Sequence, residues 1–520
     1  MTRRALPIGI QTFREIREGD CYYVDKTGFA LRLIDEGKYY FLSRPRRFGK
    51  SLFLDTLAEL FAGNAALFAG LEAERGWDWS RRFPVIRLSF AEGVLRSRLE
   101  LDEKIAELLA DNEALLGVSG VHRSPSGRFQ GLIGAAHAHF GERVVVLVDE
   151  YDKPILDNIT DPATARQMRD GLRNLYSVIK GQYAHIRFAF LTGVSKFSKV
   201  SLFSGLNNLK DITVDARYSA VCGYTEADLD DVFAPELEGL DRAQIRAWYN
   251  GYNWLGEAVY NPLDVLLLLD AREFRHWWFE TGTPTFLVDV LTERRYFTPD
   301  LAGVRASEAL LSAFDVDHLA PEALLWQTGY LTFTGSRQIG ARREYSLGYP
   351  NLEVESALND ALLKGLMGDP MQAERAVSRL YDVLVAADFA ALRQHIVSLF
   401  AAIPHQWHDG NPIARFEGFY ASVFYSHLAA LGLDLACEDA SSHGRLDLRL
   451  RFNGRLWLFE FKVVELAPEG TALQQIKDKG YAEKYRAEGL PTHLIGIEFS
   501  RQKRTLVGFE AETLREIPMP

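Results

Sequence analysis

The chain has 520 residues, 47% hydrophobic and 25% charged, with a net charge of −11. That length allows about three domains, the composition is that of a globular rather than a disordered chain, and the acidic balance excludes a protein that coats polyanions over its whole surface. Cys21, Cys222 and Cys437 show neither a disulfide framework nor zinc-ligand spacing, the N-terminus lacks a secretory h-region, and the most apolar runs (Val144–Val148, Val265–Leu269) are far too short to span a bilayer, so a cytoplasmic protein with no membrane partner is expected.

Residues 1–222 alternate short apolar strands with helical stretches, the rhythm of a parallel α/β domain. Strands are predicted at Lys38–Leu42, Phe83–Phe90, Arg143–Asp149 and His185–Thr192, and helices at Lys50–Phe61, Leu99–Leu116, Gly127–Phe140 and Asp161–Ile179. Between the first strand and the first helix lies Ser43-Arg-Pro-Arg-Arg-Phe-Gly-Lys-Ser51. Gly49-Lys50-Ser51 is the second half of a phosphate loop, G-x-x-x-x-G-K-[ST], with Arg44 in place of the first glycine. A helix N-terminus offers unpaired N–H groups to a phosphate, Lys50 would reach the β/γ-phosphates and Ser51 would ligate Mg²⁺. Arg46 and Arg47 either add charge to that site or are solvated loop arginines. Asp149-Glu150, about a hundred residues on at the end of a wholly apolar strand, would hold the Mg²⁺ shell and polarise the attacking water. Thr192 ends a further strand, either as a γ-phosphate sensor or as a strand-end hydroxyl.

From 223 to 368 the pattern is mostly helical and rich in aromatics, among them Trp248, Tyr249, Tyr252, Trp254, Trp277 and Trp278. Glu322–Gln327 followed by Gly329–Phe333 and Arg343–Leu347 reads as a helix and a β-hairpin, which suits a winged-helix-like module. Residues 369–404 read as an amphipathic helical connector, and 405–520 as helix, hairpin, helix, strand, strand: Phe416–Leu431, 446–462, Leu473–Glu488, His493–Phe499 and Thr505–Glu510.

The hairpin carries the chemistry of this last region. Asn453-Gly454 between two alternating strands fixes a two-residue turn. Phe452 then faces Arg455, and counting outward Asp447 faces Glu460, with Lys462 on the same face. Leu446, Leu448, Leu450, Phe452, Trp457, Phe459 and Phe461 form the opposite, core face. Two carboxylates across a ladder repel. A divalent cation between them would turn that repulsion into a metal site, and Lys462 beside it could orient or help deprotonate a water. The plain alternative is a solvated face with a cross-strand ion pair. Leu456 and Leu458 on that face, and Arg445 opposite Lys462, argue against it. His405, His408 and His443 lie near this domain without ligand spacing; His443 is either a proton-transfer aid or a loop residue. From residue 401 on there are 14 Lys and Arg against 16 Asp and Glu, so any grip on phosphates is local, for example through Arg445, Arg449 and Arg451.

The runs Arg44-Pro-Arg-Arg-Phe-Gly-Lys-Ser-Leu52, Val148-Asp-Glu-Tyr-Asp-Lys-Pro154, Thr192-Gly-Val-Ser-Lys-Phe-Ser198 and Phe203-Ser-Gly-Leu-Asn-Asn-Leu209 resemble the bacterial AAA-ATPase-like family, as do Trp248–Tyr252 and Tyr260–Pro262. Its members join an ATPase-like domain to a C-terminal PD-(D/E)XK nuclease-superfamily domain, and an arginine in place of the first loop glycine is a habit of that family. The resemblance implies an α/β fold class: a P-loop NTPase-type parallel sheet, a mostly helical middle and a nuclease-like α/β domain. It places the superfamily's Asp on Asp447 and its (D/E)-x-K on Glu460-Phe461-Lys462. It adds Glu417 on the preceding helix and Gln475 on the following one, with Tyr481 and Tyr485 further along. Leu446 stands where the motif's proline would be.

The function expected is an ATP-binding, ATP-hydrolysing switch coupled to a Mg²⁺-dependent DNA endonuclease, in a mobile-element or phage-defence setting. Asp447, Glu460, Lys462, Glu417, Gln475 and Glu150 would be catalytic, and Arg47, Gly49, Lys50, Ser51, Asp149 and Thr192 would bind the nucleotide. Metal would sit on Asp447 and Glu460, and on Ser51 and Asp149. DNA is the expected substrate, and self-association into a homo-oligomer is compatible with such a switch. The alternative is a nucleotide-dependent regulator whose nuclease-like domain binds nucleic acid or a partner without cutting.

Overall fold

A computed structural model of the chain describes residues 3–119, 122–196, 208–282, 287–288, 291, 296, 298–312, 320–403, 417–441, 444–503 and 505–514. His405, His408, His443, Phe197, Ser198 and the run 203–207 lie outside the described residues, as does the side chain of Glu417. The chain divides into two compact units, 1–282 with 304–351, and 283–303 with 352–520.

The first unit is built on a five-stranded sheet of β1 (Tyr39–Ser43), β2 (Val85–Ser89), β3 (Val144–Asp149), β4 (Ile186–Gly193) and β5 (Lys210–Asp211), all parallel, in the order β2-β3-β4-β1-β5. Every residue of β3 is buried, as an apolar run covered on both sheet faces must be. The helices Lys50–Phe61, Arg98–Leu116, Pro125–Phe140 and Pro162–Gly181 flank it. Their ends follow local chemistry. Ser97, Ser124 and Asp161 cap N-termini through their side chains, and Gly117 and Gly141 close C-termini at φ 64 and 69. This is the P-loop NTPase-like arrangement expected, and it gathers β1, β3 and β4 with their carboxyl ends together, where such sheets bind ligands. The two-residue β5 was not foreseen, because so short a strand carries no periodicity.

A helical middle follows, with Glu226–Val232, Arg242–Tyr249 and Pro262–Ala271 packed around Tyr249, Tyr260 and Leu268. Then comes a small antiparallel sheet of β6 (Val304–Ser307), β7 (Thr332–Ile339) and β8 (Arg342–Gly348), in the order β6-β8-β7. The helices Glu308–Ser312 and Pro321–Thr328 lie between β6 and β7 in the chain. Strand, two helices, then a hairpin whose second strand pairs with the first is the strand order of a winged-helix module.

The second unit centres on a sheet of β9 (Asp434–Ser441), β10 (Gly444–Phe452), β11 (Arg455–Val464), β12 (Thr492–Ser500) and β13 (Thr505–Leu514), in the order β13-β12-β11-β10-β9. β11 and β12 are parallel and the other pairs antiparallel. The helices Leu352–Met367, Pro370–Ala386, Phe389–Ala402 and Glu417–Ala429 build one core with this sheet, joining Leu363, Leu384, Phe400 and Phe424 to Leu448, Trp457 and Phe459. Leu456, Leu458, Leu473, Ile476, Tyr481, Tyr485 and Leu494 make a second, smaller core. The face that carries the candidate acids is therefore covered rather than open.

Three departures from the expected elements have local causes. The single helix expected over Leu473–Glu488 is a helix at Thr471–Asp478 and a 3-10 helix at Tyr481–Glu488, because Gly480 sits at φ 58 between them. The stretch read as one helical connector is two helices that turn at Ala387, φ 51, and contribute Leu380 and Ile396 to the larger core. β9 was missed because Asp434-Leu-Ala-Cys-Glu-Asp-Ala-Ser441 has acids and small residues where strands favour β-branched ones.

Candidate functional site

In the first unit the loop after β1 is set by two left-handed residues, Arg47 at φ 68 and Gly49 at φ 86. The helix Lys50–Phe61 starts at Gly49 with no side-chain cap, which leaves its first N–H groups to a ligand. Lys50 is buried and donates to the Pro45 carbonyl at 2.8 Å. Gly49, Lys50 and Ser51 line a cavity of about 280 Å³, together with Arg46, Arg47 and Glu150. The rest of its lining comes from outside the motif, including Pro7, Gly9 to Gln11, Tyr23, Cys222 to Tyr224, and Pro262 with Leu263 and Leu266. An apolar wall beside a phosphate loop suits a base and ribose.

Asp149 ends β3, next in the chain to Glu150. Burial pushes its carboxyl up, a hydrogen bond from Ser51 opposes that, and the like charge of Glu150 adds to it. Glu150 itself is held at φ 50, an uncommon conformation for a residue with a side chain, and is among the residues that line the cavity. Thr192 is fully buried, and its hydroxyl donates to the Leu42 carbonyl across the β1–β4 pair at 2.9 Å. Arg44, in the place of the motif's first glycine, points away from the phosphate position. Its guanidinium, 1% exposed, donates to the carbonyls of Ser43, Thr213 and Tyr218 and lies 3.9 Å from the Trp254 ring centre.

Sequence reasoning overlooked Asp152. Fully buried, it accepts from Val194 N, Ser195 N and the Ser195 hydroxyl, so it bolts the acidic turn after β3 to the end of β4. Burial, with Glu150 adding to it, pushes its carboxyl up to about 6. Its partners lie more than forty residues away, and only the repeated acid in Asp149-Glu-Tyr-Asp152 hinted at it.

In the second unit the hairpin register runs as counted, from Phe452↔Arg455 to Leu448↔Phe459. Beyond it the ladder gives way to side chains. Asp447 N–H faces Glu460 Oε2 at 3.5 Å, and Phe461 N–H donates to Asp447 Oδ2 at 2.7 Å. The break also turns Leu446 into the smaller core with Leu456 and Leu458, a correction to the uninterrupted alternation that put it with Leu448. Glu460 is 1% exposed. Burial and then the like charge of Asp447 push its carboxyl up to about 8, with Lys462 opposing. Lys462 Nζ stands 3.5 Å from Glu460 Oε1, and Gln475, on the helix Thr471–Asp478, donates to the same oxygen. Tyr481 donates to the Arg445 carbonyl at 2.8 Å. The structure thus brings Asp447, Glu460, Lys462 and Gln475 together. Arg449 and Arg451, considered as phosphate contacts, bond Asp434, and Arg451 also bonds Glu488.

A residue not foreseen starts the helix that carries Gln475. Glu498, on β12 opposite Lys462, is buried and accepts from Glu469 N, Thr471 N and Ala472 N at 2.6, 2.7 and 3.3 Å. Burial opposes its ionisation, yet these backbone bonds hold its carboxyl below the usual range.

Among the described residues no group of three or more His, Cys, Asp or Glu is arranged around a metal position. The donor set at the hairpin is a pair of carboxylates, one of them buried and raised by the other, and a cation between them would relieve both costs. The residues fit a divalent ion in that sense, as the uncapped helix start and Lys50 fit a phosphate. Among the described residues no helix is long and apolar enough to cross a membrane.

Comparison with known proteins agrees with both ends of the chain. Residues 7–203 match the AAA-ATPase-like family model, described as Predicted AAA-ATPase, and residues 415–509 match a model of the PD-(D/E)XK nuclease superfamily. The chain is 66% identical over 515 residues to the "Uncharacterized protein in vnfD 5'region" of Azotobacter chroococcum mcd 1, an alignment that covers 99% of this chain and all of that protein. No solved structure gives a significant match. The chain belongs to the family of that Azotobacter protein, with an AAA-ATPase-like region at its N-terminal end and a PD-(D/E)XK nuclease-superfamily region at its C-terminal end.

Proposed function

We propose that the protein is an ATP-hydrolysing switch that controls a Mg²⁺-dependent DNA endonuclease. The observation that carries the nuclease half is the buried Glu460 carboxylate held beside Asp447, within reach of Lys462 and Gln475. Burial and the Asp447 charge together hold a proton on Glu460 even with Lys462 nearby, and a divalent cation between the two is the charge that lets both carboxylates ionise. Bound there, a divalent cation supplies Lewis-acid polarisation of the scissile phosphate. Asp447 and Glu460 hold the ion, Gln475 fixes the orientation of Glu460, and Lys462 positions the hydrolytic water. Glu417, on the helix Glu417–Ala429, is the candidate to complete the acidic set.

In the first unit, the free N–H groups of the helix start and Lys50 hold the β- and γ-phosphates. Ser51 and Asp149 bind the Mg²⁺ that travels with ATP, and Glu150 takes the proton from the attacking water. Cleavage of supercoiled plasmid in Mg²⁺ tests the nuclease: Glu460→Ala and Lys462→Ala are each expected to lower the rate by about a hundredfold or more. Equal rates for both variants and the wild type would remove the nuclease. The ATPase has its own test. Lys50→Ala is expected to lose nucleotide binding, whereas Glu150→Gln keeps binding and loses turnover; a wild-type ATPase rate in Lys50→Ala would exclude the loop chemistry.

A further inference from the structure

The winged-helix module presents its faces in an unusual way. The helix Pro321–Thr328 is the one that such a module would ordinarily lay into a DNA groove. Here it has no exposed residue: Ala323, Leu324, Leu325, Trp326 and Gln327 are buried. Gln327 accepts from Lys196 N and donates to the Leu311 carbonyl, which ties the helix to the segment after β4. The hairpin β7–β8 is exposed instead. β6 pairs only with Glu344 to Leu347 of β8, so residues 338–343 run on as a two-stranded ribbon. It turns at Gly340, φ 58, with Ile339 48% exposed at its tip.

The ribbon and its base carry Arg305, Arg337, Arg342 and Arg343. Among the described residues the acids tied to them are Glu344, which bonds Arg337 and stands 3.7 Å from Arg305, and Glu308 at the base near Tyr345. A local excess of arginine on a projecting ribbon, in a chain of net charge −11, is concentrated rather than diffuse positive charge. Arginines on an unpaired edge can also serve only to block edge-to-edge association. A protrusion with guanidinium groups at several heights and an apolar tip goes further, and matches a duplex: phosphates along the ribbon, a minor-groove wall at Ile339.

We propose that the β7–β8 wing, through Arg337, Arg342 and Arg343, is a duplex-DNA contact of this protein, taking the role that the buried helix Pro321–Thr328 cannot. This rests on the nucleic-acid reading above and adds the surface that holds the DNA. The test is fluorescence anisotropy of the full chain with a labelled 20-base-pair duplex in EDTA, over a series of salt concentrations. Neutralising the three arginines (Arg337→Gln, Arg342→Gln, Arg343→Gln) is expected to weaken binding at least tenfold. It should also flatten the slope of log affinity against log salt by about 2 to 3, near 0.9 per lost phosphate contact. The triple Arg→Lys variant should restore most of the slope, and unchanged ATP binding by the Gln variant shows that the unit is folded. An unchanged slope in the Gln variant overturns the proposal, as does self-association of that variant with undiminished DNA binding, or a wild type with no salt-dependent binding. Wing-dependent binding without plasmid cleavage would sink the nuclease alone; cleavage with wing-independent binding would sink the wing alone.

Discussion

Glu460 holds its proton to about pH 8, whereas its ordinary value is 4.5. Between those values the folded, metal-free chain carries a proton that the unfolded chain has lost. Its stability therefore declines as pH rises from about 4.5 to about 8. The same proton stands in the way of a cation. Mn²⁺ or Mg²⁺ binding is expected to tighten as pH rises toward 8 and to release close to one proton per ion at neutral pH. Calorimetry in buffers of different ionisation enthalpy reads that proton, and pH-independent binding with no proton release would show that Glu460 is not a ligand. The pairing of Glu460 with Asp447 was legible from Asn453-Gly454, since a two-residue turn leaves no choice of register. Arg44 was not legible. Its carbonyl partners on Thr213 and Tyr218 lie more than 160 residues away, and nothing near Arg44 in the chain announces them. Replacing it with the motif's glycine (Arg44→Gly) should cost about 3 kcal/mol or more, because buried carbonyls lose charged donors. Lysine should fail as well, since it lacks the fork that serves two carbonyls at once. Urea denaturation of both variants checks this, and wild-type stability in Arg44→Gly would reduce the arginine to a bystander.

At the scale of elements, the helix Thr471–Asp478 matters because Gln475 rides on it and reaches Glu460. No side chain of its own caps its start. Glu498, from the neighbouring strand β12, does so instead by collecting three backbone N–H groups. A neutral amide there accepts less well and brings donors of its own to face donors, so Glu498→Gln should loosen the first turn and let Gln475 drift. The expected outcome is a loss of about ten- to a hundredfold in metal affinity. The pH at which metal binding rises should move as well, since Gln475 no longer steadies the Glu460 carboxylate. Lower thermal stability with an unmoved pH profile and unchanged affinity would leave Glu498 with a structural role only. The apolar pattern pointed to a helix here, and the family resemblance put Gln475 on it, but the helix expected ran to Glu488, past the break at Gly480. Sequence reasoning could not see Glu498 as a cap, because the cap comes from a strand across the sheet instead of from the residue before the helix. The parallel sheet of the first unit was easier to read: β3 is a continuous apolar run, β1 and β4 are mostly apolar, and the four flanking helices begin at Ser, Asp or the phosphate loop.

The whole molecule is two compact units, each with its own sheet and its own candidate ligand, so ligand effects should separate. A ligand that binds only the folded form stabilises it by about 2.7 kcal/mol at a hundred times its dissociation constant. For units of this size that is a rise of several degrees in the midpoint of the unit that binds it. Scanning calorimetry of the full chain should therefore show ATP with Mg²⁺ raising one transition, and Mn²⁺ without nucleotide raising another. Lys50→Ala should abolish the first response and keep the second, and Glu460→Ala the reverse. If the two units act as a switch and its effector, a further result is required. ATP must change the plasmid-cleavage rate of the wild type, and Lys50→Ala must be insensitive to it while its Mn²⁺ response in the calorimeter stays intact. Coupling is a free energy shared by two sites, so the nucleotide can alter cleavage only if the cleaving state binds it with a different affinity. Cleavage that is the same with ATP, with a non-hydrolysable analogue and with neither would leave two independent enzymes on one chain, and the switch would be gone even with both activities present.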